Sequence, residues 1–121
     1  MSTGRQNGAL GAYGERVAAR HLVAEGLVVL DRNWRCDAGE LDLVLRDGDV
    51  LVFCEVKTRS GTAYGHPLEA VDAVKTDRLV RLAARWMEER GVVATDVRFD
   101  AVAVVRRVRG AAEVEHVRGL G

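Results

Sequence analysis

No stretch of this 121-residue chain is apolar for long enough to span a bilayer. The first residues, MSTGRQNGALGAYG, lack the apolar centre of a signal peptide. The expectation is a soluble, cytoplasmic protein with no membrane partner. Cysteine is scarce. Cys36 and Cys54 form no CxxC pair, and a disulfide is not expected in a reducing compartment. The three histidines, His21, His66 and His116, are scattered, so no zinc-ligand spacing emerges. Net charge is absent too: 18 Lys and Arg balance 18 Asp and Glu. Bulk charge therefore gives no sign of nucleic-acid binding. Its distribution is uneven. Residues 1–56 carry 6 basic and 9 acidic side chains, and residues 57–121 carry 12 and 9. An acidic front and a basic back suit a metal site flanked by phosphate contacts. Chance alone also produces such a split.

No internal repeat or long linker divides the chain, and its length fits one domain with a real core. Residues 1–12 are Gly-rich and polar and read as a loose, flexible tail, leaving a single domain over 13–121. A helix is expected from about Tyr13 to Glu25, stopped by Gly26. Strands follow at about 27–34, 40–46 and 49–57, the last two joined by a turn at Asp47-Gly48. A Gly- and Pro-marked loop covers 58–67. A long helix covers about 68–90, with Val71, Val74, Leu79, Leu82, Ala83 and Trp86 at helical spacing, and Gly91 ends it. A fourth strand at about 97–106 and a short one at 113–118 complete the chain. The order predicts an α/β fold whose helices cover both faces of a small mixed sheet. The helical crossover lets the fourth strand lie parallel to its neighbour.

The hairpin GELDLVLRDGDVLVFCEVKTR, residues 39–59, carries charge where strands seldom tolerate it. A turn at Asp47-Gly48 sets residue 46 opposite 49. Leu45 then faces Val50, Leu43 faces Val52 and Leu41 faces Cys54. The same register places Glu40 opposite Glu55 and Asp42 diagonal to Glu55, about 7–8 Å apart along the backbone. Glu40, Asp42, Glu55 and Lys57 gather on one face beside Leu51 and Phe53. Like charges facing each other destabilise a sheet. A divalent cation would relieve them, and Mg²⁺ favours carboxylate oxygens while retaining water. Metal-bound water suits phosphodiester hydrolysis, with a lysine beside it to steady developing charge. The competing reading is a solvated face of cross-strand ion pairs. Glu15 adds weight to the site, because it falls within the helix stripe of Ala18, Ala19, Leu22 and Val23. An inward carboxylate needs a partner: Lys57, the metal cluster or a structural arginine.

Asp42 followed by Glu55-Val56-Lys57 resembles the PD-(D/E)xK signature of restriction-endonuclease-like nucleases, with Leu41 in place of the proline. Four ordered blocks go further: GERVAARHL at 14–22, NWRCDAGELDLV at 33–44, LVFCEVKTRSG at 51–61 and VRFDAVAV at 97–104. Together they resemble the YraN family of small bacterial proteins across about residues 13–105. That resemblance implies a restriction-endonuclease-like αβββαβ core with a mixed central sheet flanked by helices. It implies an Mg²⁺ or Mn²⁺ site with Asp42, Glu55 and the Val56 carbonyl as ligands and Lys57 as the catalytic lysine. Glu15 matches the helix glutamate of archaeal Holliday-junction resolvases in the same superfamily, and Glu40 is implied to support the ligands from behind. The chain's ending, VEHVRGLG, departs from many relatives and leaves the last strand open.

Other residues are weighed on their own terms. Arg59, on the Lys57 side of its strand, is either a phosphate contact or a loop arginine. Lys75, Arg78, Arg81 and Arg85 form a basic helix stripe, which is a solvated face or a phosphate-binding one. Lys75, Arg78 and Arg59 are the nucleic-acid-binding candidates. Tyr64 and His66 are candidate substrate contacts. Asp100 pairs with Arg98 or Arg106 or approaches the site, the structural role being favoured, and Trp34 and Trp86 read as core rather than base-stacking platforms. The leading expectation is a metal-dependent endonuclease acting on DNA, branched or damaged forms included, with RNA a further substrate class. A homodimer would suit so small a chain on a branched substrate. The alternatives are a non-catalytic nucleic-acid-binding or adaptor protein on a nuclease-like fold, and a structural protein whose hairpin charges are only ion pairs.

Overall fold

The computed structural model describes residues 8–61 and 76–120. Its elements run α1 (Gly8–Ala24), β1 (Val28–Cys36), β2 (Gly39–Asp47), β3 (Val50–Ser60), α2 (Thr76–Arg90), β4 (Val97–Arg106) and β5 (Glu113–Val117). This is a mixed α/β fold with the expected αβββαβ order, consistent with the restriction-endonuclease-like class. The helix α1 begins at Gly8, so residues 8–12 of the expected tail are helical. The short fifth strand is present. Lys75, Tyr64 and His66 lie outside the described residues. No helix among the described residues is long and apolar enough to cross a membrane.

The five strands lie in sequence order across one sheet. β3 and β4 are parallel, and the other neighbours are antiparallel. Alternation along the strands divides the core in two. Leu43, Leu45, Val52, Cys54, Val102 and Val104 pack under Ala18, Ala19 and Leu22 of α1. Val44, Leu51 and Phe53 pack under Leu79, Leu82, Ala83 and Trp86 of α2. Phe53 is fully buried, edge-on to Trp86 at 5.7 Å and stacked on Phe99 at 6.0 Å. Burying one such side chain stabilises the fold by about 1.5–3 kcal/mol. Both helices stop where glycine permits a positive φ. Gly26 (φ 100°) lets Leu27 N–H donate to Leu22 O, and Gly91 (φ 65°) lets Val92 N–H donate to Met87 O.

The hairpin register differs from the expected one. Asp47 pairs with Val50, Leu45 with Val52 and Leu43 with Cys54. The two-residue turn is therefore Gly48-Asp49, not Asp47-Gly48. Gly48, at φ 61°, occupies the first turn position, which demands a positive φ. Glu40 is thus not opposite Glu55. The shift is two residues, so side chains keep their faces, and counting one step past Leu43↔Cys54 sets Asp42 level with Glu55.

A second difference concerns Leu41. It was expected beside Leu43, yet it packs with Trp34, Val44 and the α2 residues. Besides a bulge in β1 between Val29 and Asp31, the alternation breaks at a level shared by both strands. Trp34 pairs with Leu41 and Arg32 with Leu43, and between them Asn33 adopts φ 51°. Asparagine tolerates this left-handed conformation better than most residues. The break lies beside Asp42, at the point where the paired rungs of β2 and β3 end.

Candidate metal centre

The end of β2–β3 pairing creates the site. Past Cys54 the Val56 N–H donates to Asp42 Oδ2 at 2.8 Å, so a side chain replaces the backbone acceptor of a regular ladder. The Asp42 carboxyl is thereby drawn between the two strands. Glu40 follows from the start of β2, and Glu15 arrives from α1. Each of the three offers an oxygen, and the three oxygens lie within 4.8 Å of one another. Oxygens sharing one octahedral ion at about 2.1 Å stand roughly 3–4 Å apart, so this set fits Mg²⁺ or Mn²⁺ after a small closure.

Glu15 reaches the site because α1 sits very close to β3. Gly14 is buried, and a Cβ built on it would lie 1.8 Å from Thr58 Oγ1 and 2.8 Å from Thr58 Cβ. Only glycine allows that approach. Asn33 completes the support. With its amide nitrogen turned toward Glu15, it donates to Oε1 at 2.7 Å and to Oε2 at 3.3 Å. The same residue thus bends β1 and orients the helix carboxylate.

The charges interact. The Asp42 carboxyl is pushed up to about 7, first by burial and then by the charges of Glu55, Glu15 and Glu40, against the lowering effect of the Val56 N–H. A carboxyl in this condition gains from a nearby cation. Arg35 Nη2 lies 3.8 Å from Glu40 Oε1.

The sequence candidates are distributed as follows. Glu15, Glu40 and Asp42 form one acidic group, so Glu40 stands among the potential ligands and not behind them. Glu55, almost fully buried, turns to α2, where Arg78 Nη2 donates to Oε1 at 2.9 Å and to Oε2 at 3.2 Å. Lys57 Nζ lies 3.3 Å from Glu55 Oε2. Arg78, a phosphate candidate from sequence, is therefore placed against a carboxylate. Arg59 is half-buried near the end of β3, and Arg85 is paired with Asp37 at 2.8 Å. Trp34 and Trp86 are core, as expected, and the Trp86 indole N–H donates to Asp31 Oδ2 at 2.9 Å.

Asp100 has the structural role expected of it. It is fully buried and accepts from Arg98 Nε at 2.9 Å, Arg98 Nη2 at 3.0 Å and Gly119 N–H at 3.0 Å, and His116 Nε2 lies 2.9 Å from Oδ2. Burial alone would raise its carboxyl. The His116, Arg98 and Gly119 contacts outweigh burial and hold it below the ordinary range. Sequence reasoning missed His116 and Asn33. The signal for Asn33 was present: a poor strand former inside an otherwise strand-like run.

The family model of the uncharacterised protein family UPF0102 matches residues 14–104. A UPF0102 protein of a Nocardioides species is 65% identical over 93% of this chain and 91% of its own length. One from Beutenbergia cavernae is 63% identical over 97% and 99%. One from Streptomyces griseus is 54% identical over 93% and 96%. The matched region contains Glu15, Asn33, Glu40, Asp42, Glu55, Lys57 and Arg78. The chain belongs to the UPF0102 family, the YraN family that its four sequence blocks resemble.

Proposed function

We propose that this protein is a divalent-metal-dependent endonuclease that hydrolyses phosphodiester bonds in DNA, branched or damaged forms in particular. The observation that carries the reading is the meeting of Glu15, Glu40 and Asp42 oxygens within 4.8 Å, beside Glu55 and Lys57. An Mg²⁺ or Mn²⁺ ion held there would polarise a phosphate oxygen and activate a water. The chain's own groups have distinct tasks. Asp42, Glu15 and Glu40 supply oxygens. The Val56 backbone is fixed by its N–H bond to Asp42, which leaves its carbonyl as a further donor. Lys57, about a third exposed and beside Glu55, would steady charge on the scissile phosphate. Arg59, half-buried near the end of β3, is the outer phosphate contact. A junction-sized substrate calls for two copies of so small a chain.

The test is a cleavage assay on linear, nicked and branched DNA and on RNA with Mg²⁺ or Mn²⁺, using wild type, Asp42→Asn and Lys57→Ala. Metal-dependent cutting by wild type alone is the expected result. Absence of cutting on every substrate, from pure metal-loaded protein, would refute it. One observation favours a second reading, a nucleic-acid-binding or adaptor protein without turnover. Glu55 and Lys57 already satisfy each other within an ion cluster. That reading predicts salt-sensitive DNA binding that Lys57→Ala leaves intact.

A further inference from the structure

Glu55 has two cationic partners. Arg78 Nη2 contacts both of its oxygens, and Lys57 Nζ approaches Oε2. Charge-assisted contacts of this kind are among the strongest hydrogen bonds in proteins. Arg78 is itself held in place. Its Nη1 lies 3.6 Å from where a Cβ on Gly39 would stand, and Leu82 lies 3.5 Å from that point. Gly39, at φ 143°, has no side chain, so the guanidinium lies along the backbone of β2 one residue before Glu40. Arg78 therefore bridges α2, the start of β2 and the buried carboxylate of β3.

A carboxylate oxygen that accepts from a guanidinium is a weaker donor to a metal ion. The Arg78 charge also repels an incoming divalent cation. The Glu15, Glu40 and Asp42 oxygens already lie within one ion's reach of one another, and Glu55 is not among them. We propose that Arg78 is a latch that competes with the divalent ion for Glu55. Glu15, Glu40 and Asp42 would hold the ion, and Glu55 would add an oxygen only when Arg78 releases it. This inference rests on the metal-site reading above, and it adds a control on that site located on α2.

The test is a calorimetric Mn²⁺ titration, without nucleic acid, of wild type, Arg78→Ala, Arg78→Lys, Glu55→Gln and the Arg78→Ala/Glu55→Gln double variant. Thermal melts and near-UV circular dichroism establish that each is folded. Arg78→Ala is expected to bind Mn²⁺ at least about fivefold more tightly than wild type, the lower end of typical coupling between sites. Arg78→Lys, which keeps the charge and can still reach Glu55, stays close to wild type and serves as the readout if the alanine variant does not fold. Glu55→Gln, which leaves the Arg78 charge without its carboxylate, binds no more tightly than wild type, and the double variant falls at least about threefold short of Arg78→Ala. Weaker or unchanged binding in Arg78→Ala, or a double variant that binds as tightly as Arg78→Ala, overturns the latch while leaving the metal site standing. If neither wild type nor any variant takes Mn²⁺, the metal-site reading itself fails and the latch with it.

Discussion

Replacing Asp42 by Asn should make the metal-free protein more stable at alkaline pH, not less. The substitution preserves shape and keeps an oxygen to accept the Val56 N–H at its 2.8 Å position. It removes the charge that burial and three neighbouring carboxylates disfavour. The folded-state value of about 7 lies above the unfolded 3.8, so the native state binds this proton more tightly. The stability gained from holding the proton is present below about pH 4. It is lost progressively as pH rises through about 7. Each unit of difference corresponds to about 1.4 kcal/mol, so the full shift sets an upper limit of about 4 kcal/mol. Asp42 is partly open to solvent, which reduces this, and about 2 kcal/mol is the expected size. The assay is urea unfolding with a chelator present, for both proteins, from pH 4 to pH 8.5. Subtracting the two curves cancels every other titrating group. The difference should be near zero at pH 4 and favour Asp42→Asn by about 2 kcal/mol above pH 7.5. Adding Mn²⁺ at pH 8 should reverse the order, because the ion stabilises only the protein that retains the carboxylate. A difference that is flat across this range, or a less stable Asp42→Asn without metal at pH 8, would refute the reasoning.

Gly14→Ala should destabilise the fold by about 1–3 kcal/mol, as overpacking does, and weaken Mn²⁺ binding by displacing Glu15. Thr58→Ala in the same chain should recover part of both, as read by denaturant unfolding and calorimetry. Asn33→Gly should keep the β1 bend, whereas Asn33→Ala should cost roughly 1–2 kcal/mol for its left-handed backbone. Both should loosen Glu15 and lower metal affinity, so stability and affinity separate in the glycine variant. Asp100→Ala should cost about 3–5 kcal/mol by leaving the Arg98 charge without its buried partner. Because Asp100 is held below the ordinary carboxylate range, its contribution is present above that range and lost as pH falls below it, through the lowered folded-state value. The variant's acid-unfolding curve should accordingly be shallower than that of wild type.

Element types and their order follow from patterning that the sequence displays openly. Gly26 and Gly91 mark helix ends because only a positive φ lets the chain turn back on the last carbonyls. The turn was misplaced by one residue because Asp47-Gly48 and Gly48-Asp49 both satisfy turn chemistry, and glycine suits either central position. That error alone moved no side chain to the other face, since a two-residue change in pairing preserves faces; the reversal beside Asp42 is what parts Glu40 from the Glu55 face and groups it with Glu15. Two features resist local reading for a different reason. The reversal at Asn33 depends on an asparagine accepting a conformation that its neighbours in β1 would resist, and nothing within the strand requires it. What stabilises it is Glu15, from a helix eighteen residues earlier in the chain, seated by the contact of Gly14 with Thr58. Likewise the Glu55–Arg78 pair joins positions 23 residues apart, one on β3 and one on α2. Spacing within one strand or one helix carries no trace of such a pair. The carboxylates were legible because charge is out of place in a strand. Their partners were not, because a partner in another element obeys its own local pattern. Arg78 fits a solvated basic stripe as well as it fits a latch, and only the packing of Leu79 and Leu82 against the sheet brings it to Glu55. The residues with the greatest influence on the carboxylates are thus the ones whose sequence context is most ordinary.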